Sequence, residues 1–79
     1  MSQQTLAPTA ISAACAISAV EADAIAAYRD LSPYRVEIWM EDDGWHVDYE
    51  LKDATANGGG PHYLVDAENG RILHKRYEQ

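Results

Sequence analysis

The residues of this sequence best suited to chemistry are three histidines, His46, His62 and His74. Imidazole titrates near neutral pH and is the commonest metal ligand in proteins. None of the three belongs to an i, i+4 helical pair or to a cysteine–histidine pair, the spacings typical of zinc sites. Each occupies a polar position among strand-like residues. We therefore expect solvated histidines on strands, and no bound metal.

Two other stretches resemble ligand-binding loops superficially. Gly58-Gly59-Gly60 leads through Pro61 into an apolar segment, whereas a phosphate-binding loop leads into a helix and carries a Lys-Ser or Lys-Thr pair. Asp42-Asp43-Gly44 lacks the alternating ligands and the bidentate glutamate of a calcium loop. Because the sequence offers no nucleophile–base pair, it predicts neither a catalytic residue nor a cofactor, and the protein is not expected to be an enzyme.

The composition restricts the protein to a small acidic class. A chain of 79 residues has room for one domain, residues 1–79, of which 1–8 are expected to form a flexible lead-in. The net charge of −7 disfavours nucleic acids and anionic membranes as partners, because phosphate neutralisation needs clustered Lys and Arg. The N-terminal sequence has neither a basic region nor a long apolar run, so the expected location is the cytoplasm.

Alanine dominates residues 9–31 and favours a helix there. Ser18 and Glu21 fit a capping box, which places a helix start inside this segment. A single helix through the whole segment would be about 35 Å long, against about 23 Å for a seven-residue strand. We therefore predict a main helix at about 19–30, preceded by a separate short helix at about 9–16.

The hydrophobic period changes to two at residue 34, which indicates β-strands. A first hairpin is predicted from strands 34–41 and 45–52, with Asp43-Gly44 as its two-residue turn. The apolar residues of both strands then lie on one face of the sheet. The pairs expected in this register are Met40–Val47, Ile38–Tyr49 and Val36–Leu51.

A second hairpin is predicted from strands 62–66 and 71–77, around Glu68-Asn69-Gly70. With a bulge in this loop, Val65 pairs with Leu73. The residues expected to face the helix are Tyr63, Val65, Leu73 and Tyr77, and those expected to face away are Leu64 and Ile72. The predicted fold class is α+β, with the helix packed on one face of a four-stranded antiparallel meander.

The face away from the helix is the expected partner-binding surface, because it exposes Trp39 among carboxylates. An aromatic anchor with an acidic rim suits a basic protein partner. The residues assigned to this surface are Trp39, Glu37, Glu41, Asp48, Glu50, Leu64 and Ile72. The alternative is that Leu6, Ile11 and Cys15 of the N-terminal segment fold back over Trp39.

Two resemblances to known families cover residues 17–79. The segment Ile17–Ala22, the alternating strands and the stretch Val65–Leu73 resemble a PepSY domain, which places a capped helix before a small antiparallel sheet. Trp45-His46-Val47, the closing stretch Lys75–Gln79 and a central motif resemble small bacterial immunity proteins with a nuclear-transport-factor-two-like fold. The motif residues are Gly58, Gly59, Gly60, Pro61, His62 and Tyr63, with Asp66 and Gly70 in the hairpin that follows.

The second resemblance implies a function, since such immunity proteins are predicted to neutralise toxins of polymorphic toxin systems. The expected function is therefore a non-enzymatic, cytoplasmic binding protein that masks a cognate toxin. The PepSY resemblance implies a different class, a regulatory or ligand-binding module, although Asn69 stands where that family usually has Thr. A homodimer formed through the outer sheet face or through edge strands is the third alternative.

Overall fold

The computed structural model describes residues 10–53, 55 and 58–78 and has an α+β architecture, as predicted. Its elements are the helix α1 (Ala13–Tyr28) and the strands β1 (Tyr34–Glu41), β2 (Gly44–Leu51), β3 (His62–Val65) and β4 (Ile72–Arg76). The strands form one antiparallel sheet in the order β1-β2-β3-β4, and α1 packs on one face of it. Within the described ranges, no helix is long and apolar enough to cross a membrane.

The alanine-rich segment forms one helix rather than the two that were predicted. Its start is Ser12, whose hydroxyl accepts a hydrogen bond from the Cys15 amide at 3.1 Å, so the cap predicted at Ser18 is wrong. At 16 residues α1 is about 24 Å long, close to the length of an eight-residue strand. The helix thus matches the length of the strands because it is shorter than the whole alanine-rich segment, and not because the segment breaks into two helices. The predicted lead-in, 1–8, lies outside the described residues.

Small side chains let α1 approach the sheet closely. Ala16, Val20 and Ala24 are spaced by four residues on one helix face and have no exposed surface. They pack mainly over the two central strands, where the larger core side chains lie. Among the described residues, the buried hydrophobic cluster consists of Ala16, Val20, Ala24, Val47, Tyr49, Tyr63 and Val65.

The first hairpin turns at Asp42-Asp43, one residue earlier than predicted. Ile38 therefore pairs with Val47 instead of Tyr49, and every pair of the predicted register is displaced by two residues. Gly44 begins β2 with φ +136°, and a Cβ there would collide with the carbonyl oxygen of Val65. Because the displacement is an even number of residues, each side chain stays on its predicted face.

A bulge reverses the faces predicted for the start of β4. Val65 pairs with Ile72 rather than Leu73, while Leu64 pairs with His74 as predicted. Leu73 is the extra residue between these pairs, and 51% of it is exposed. Ile72 packs against the core, so its predicted place on the outer face is wrong. One inserted residue is enough for this reversal, because side chains alternate along a strand.

An acidic residue of α1 joins the helix to the sheet. Asp23 Oδ2 accepts hydrogen bonds from the hydroxyls of Tyr63, at 2.9 Å, and Tyr77, at 2.7 Å. Its Oδ1 accepts one from Lys75 Nζ at 2.8 Å. Hydrogen bonds from Lys75 and Tyr77 lower the pKa of Asp23, and burial together with Asp23 raises the pKa of Tyr63. At neutral pH a charged acceptor therefore meets three donors.

Replacing Asp23→Asn should destabilise the fold by about 2 kcal/mol at pH 7, because hydrogen bonds to a charged group are worth about 1.5–3 kcal/mol each and the amide keeps part of them. The pKa of Asp23 is lowered by folding, so its contribution is complete above the usual carboxyl pKa and is lost as the pH falls through the lowered value. Urea unfolding of both proteins at several pH values measures this. A difference that persists undiminished in strong acid would contradict the assignment.

Candidate functional site

The face of the sheet turned away from α1, called here the outer face, carries a mixture of aromatic and charged side chains. Alternation along each strand places them there, and the observed registers bring them together. The outer-face residues are Arg35, Glu37, Trp39, Glu41, His46, Asp48, Glu50, His62, Leu64, His74 and Arg76. Among the described residues, no second layer packs on this face.

One row across the four strands is aromatic and apolar, and is called here the aromatic row. Cross-strand pairing aligns Trp39 with His46, His46 with Leu64, and Leu64 with His74. The rings of Trp39 and His46 are stacked, with centroids 5.2 Å apart and planes 12° apart. A shallow cavity of about 340 Å³ lies against this row. The row gives the face an aromatic and apolar surface, on which Trp39 is 37% exposed.

The stacked rings are fixed in place by carboxylates of the first hairpin. Trp39 Nε1 donates to Glu41 Oε2 at 2.9 Å. His46 Nε2 lies 2.7 Å from Asp43 Oδ1 and 3.3 Å from Glu41 Oε1. A carboxylate can only accept, so the imidazole donates its N–H. These contacts limit the rotation of both rings before any partner binds.

The neighbouring row is charged and is centred on a histidine. It aligns Glu37, Asp48, His62 and Arg76 across the four strands. His62 Nε2 donates to Glu78 Oε2 at 2.7 Å, and its Nδ1 lies 2.9 Å from Asp48 Oδ1 in a geometry that does not form a hydrogen bond. The His62 side chain is only 12% exposed. It is therefore held between two carboxylates and is not the solvated histidine that was predicted.

Two clusters on the outer face combine a histidine with carboxylates at distances a divalent cation could span. One is Asp48, Glu50 and His62, and the other is Glu41, Asp43 and His46, with ligand atoms within 4.8 Å of one another. In each cluster the imidazole already contacts a carboxylate directly. These contacts account for the proximity of the groups, and we assign the carboxylates the role of orienting the rings.

The structure brings together most of the residues predicted for the partner-binding surface. Six of them, Trp39, Glu37, Glu41, Asp48, Glu50 and Leu64, lie on the outer face, whereas Ile72 lies on the helix side. His46, His62 and His74 all line one cavity, a convergence that was not predicted from the sequence. The register between the two hairpins, which was not predicted, is the information that would have revealed this.

The alternative cover for Trp39 is not seen among the described residues. Ile11 packs on the helix side, where its carbonyl accepts a hydrogen bond from Trp45 Nε1 at 3.0 Å. Cys15 is exposed on α1. Leu6 lies outside the described part of the chain. Ile11 and Cys15 therefore leave the outer face uncovered.

The glycine motif has a structural role next to the outer face. Gly60 N–H donates to the Tyr49 carbonyl at 2.9 Å, and the Tyr49 N–H donates to the Pro61 carbonyl at 3.0 Å. A Cβ at Gly60 would lie 2.7 Å from that of Tyr49. Gly59, Gly60 and Pro61 are buried, so this end of the motif is a packed continuation of β3, while Gly58 is exposed.

The other motif residues shape the second hairpin. Asp66 Oδ1 accepts hydrogen bonds from the amides of Glu68, at 2.7 Å, and Asn69, at 3.3 Å. Gly70 has φ +77°, a backbone conformation that favours glycine, and its amide donates to the Asp66 carbonyl at 3.0 Å. Tyr63 is a buried core residue. The motif as a whole therefore positions β3 and β4, and of its members His62 alone presents its side chain on the outer face.

Comparisons of the chain with protein-family models, with curated proteins and with solved structures find no match. The outer face combines an aromatic and apolar row with charged side chains that are held by hydrogen bonds.

Replacing Trp39→Ala should lower the free energy of unfolding by only about 1 kcal/mol, because Trp39 lies on the open face and loses mainly its stacking on His46 and its hydrogen bond to Glu41. Trp45→Ala is the matched comparison and should cost about 3 kcal/mol, since its ring packs against the core and its indole N–H bonds to Ile11. Chemical denaturation of the two variants measures the difference. Equal losses would show that Trp39 is covered.

Proposed function

We propose that this protein is a non-enzymatic binding protein whose outer face holds a basic protein partner. The observation that carries the proposal is the aromatic row, open to solvent and bordered by carboxylates. Interface energy concentrates in a few large aromatic and arginine side chains surrounded by a polar rim. Trp39 is the anchor in this proposal, and the other members of the aromatic row, His46, Leu64 and His74, complete the contact.

Preorganisation supports Trp39 as the anchor. Its ring is stacked on His46 and hydrogen-bonded to Glu41, so little side-chain entropy remains to be lost on binding. The stacked His46 ring belongs to the neighbouring strand, so the first hairpin itself holds the Trp39 ring. A partner with a flat apolar patch would therefore meet a surface already in its bound form.

The charge distribution supports a basic partner. The outer face of the first hairpin carries four carboxylates, Glu37, Glu41, Asp48 and Glu50, against one arginine, Arg35. The whole chain has a net charge of −7, which adds a long-range field of the same sign. Such a field accelerates association with a positively charged surface, and the acceleration falls as salt is added.

The resemblance to bacterial immunity proteins supports a narrower form of the proposal. The motif around Gly58-Gly59-Gly60 and His62 carries that resemblance. In this form the partner is a toxin, and the protein neutralises it in the cytoplasm by covering its active surface. Masking requires a stable surface and no chemistry, which fits a rigid sheet with no predicted nucleophile.

Capture from the native host with wild-type protein and with Trp39→Ala in parallel tests the anchor. We expect a basic protein that is retained by the wild type and lost with the variant, because removing an anchor aromatic typically weakens binding by about thirtyfold or more. Once the partner is purified, inhibition of its toxicity tests the narrower proposal. A partner retained equally by both proteins would show that the outer face is not the binding surface.

Association rates measured at several salt concentrations test the acidic rim separately. Charge reversal of Glu37 and Glu50 to Lys should slow association and flatten its salt dependence. Reversal of Glu21 and Glu68, which are exposed and lie off the outer face, changes the net charge equally and is the control. Equal slowing by both pairs would attribute the effect to net charge alone and contradict a role for this face.

A further inference from the structure

β1 is an edge strand, and in the described part of the chain no further strand pairs with its outer side. Strand edges are commonly protected by charged side chains, above all lysine, by proline or by a bulge, which prevent pairing with another chain. The opposite edge, β4, has a bulge at its start and carries Lys75 and Arg76. β1 pairs with β2 in regular register along all eight of its residues and contains neither Pro nor Lys. Its other side is therefore a regular template for a further strand.

The backbone groups that face this edge can be identified from the register. The Pro33 carbonyl accepts from the Lys52 amide at 2.9 Å, and this pair continues the ladder of β1 with β2. In an antiparallel pair, the residues that bond to one neighbour alternate with those that face away. Residues 35, 37, 39 and 41 therefore bond to β2. The amides and carbonyls of Val36, Ile38 and Met40 point to the open edge.

The side chains of β1 leave apolar surface uncovered on the helix side. Val36 is 38% exposed and Met40 41%, although their cross-strand partners Tyr49 and Trp45 are buried or half-buried. The strand residues of the buried core all belong to β2 and β3, and β1 contributes none of them. An added strand would cover these side chains and also form hydrogen bonds with the amides and carbonyls at the edge of β1.

We propose that the occupant of this edge is a second copy of the chain, paired antiparallel through β1 about a two-fold axis at Ile38. This register places Val36 opposite Met40 of the second copy on the helix side. Because the axis repeats this pair, Val36 and Met40 of both copies are covered. On the outer side it places Arg35 opposite Glu41 of the second copy, and the two-fold axis repeats this Arg–Glu ion pair.

The chain's own charges select this register over the two neighbouring ones. The edge-facing residues Val36, Ile38 and Met40 must pair with one another, so the nearest other registers have the axis at Glu37 or at Trp39. The first sets Glu37 opposite its own copy, and the second sets Glu37 opposite Glu41 of the second copy. Like charges directly opposite are unfavourable. The register centred on Ile38 combines long overlap with opposite charges.

Light scattering and sedimentation of the full chain over a wide concentration range test the dimer. We expect a concentration-dependent dimer, weakened about tenfold by Arg35→Glu or by Glu41→Arg. The double variant restores opposite charges and should recover the wild-type association. A monomer at millimolar concentration would overturn the proposal, as would a dimer that neither single variant weakens.

Amide hydrogen exchange locates the contact. The amides of Val36, Ile38 and Met40 should gain protection as the concentration rises, whereas those of Glu37 and Trp39 should be protected at every concentration through β2. A dimer that leaves the first set unprotected uses another surface, and the assignment to β1 would then be wrong.

Discussion

The structure depends on the close approach of one helix to the two central strands. Ala16, Val20 and Ala24 permit this approach because they are small, and Asp23 fixes it by accepting from three side chains of the sheet. Tyr28 adds a second attachment at the end of the helix, where its hydroxyl donates to the Glu78 carbonyl at 2.6 Å. The segment from Lys75 in β4 to Glu78 beyond it is thereby connected to α1 by hydrogen bonds at two points.

This arrangement leaves two surfaces exposed among the described residues. The buried strand residues belong to β2 and β3, and apolar side chains of β1 remain exposed at the edge of the sheet. No described layer covers the outer face, where several polar and aromatic side chains are joined by hydrogen bonds. The two surfaces differ in chemistry. The proposed dimer uses the edge, and the proposed basic partner uses the outer face.

Much of the fold followed from the sequence, because alternation and turn residues are local signals. The faces predicted for the side chains of the first hairpin are correct although the predicted register is wrong by two residues, since a shift of two residues preserves alternation. The faces predicted for Ile72 and Leu73 are wrong, because the local sequence does not indicate a one-residue bulge at Leu73. The helix start at Ser12 was not predicted, because Ser18 and Glu21 match the capping-box pattern and so indicated a later start. The convergence of His46, His62 and His74 depends on the pairing of β2 with β3, a long-range contact that no local pattern determines.

The sheet has one face covered by α1 and one face that the described residues leave open. Hydroxyl-radical footprinting of the protein alone, with oxidation located by mass spectrometry, distinguishes the two faces because the two tryptophans lie on opposite sides of the sheet. Trp39 should be oxidised rapidly, together with His74 on the same face, while Trp45 should be protected by the core and by Ile11. Equal protection of both tryptophans would mean that the outer face is covered and would rule out the proposed binding surface.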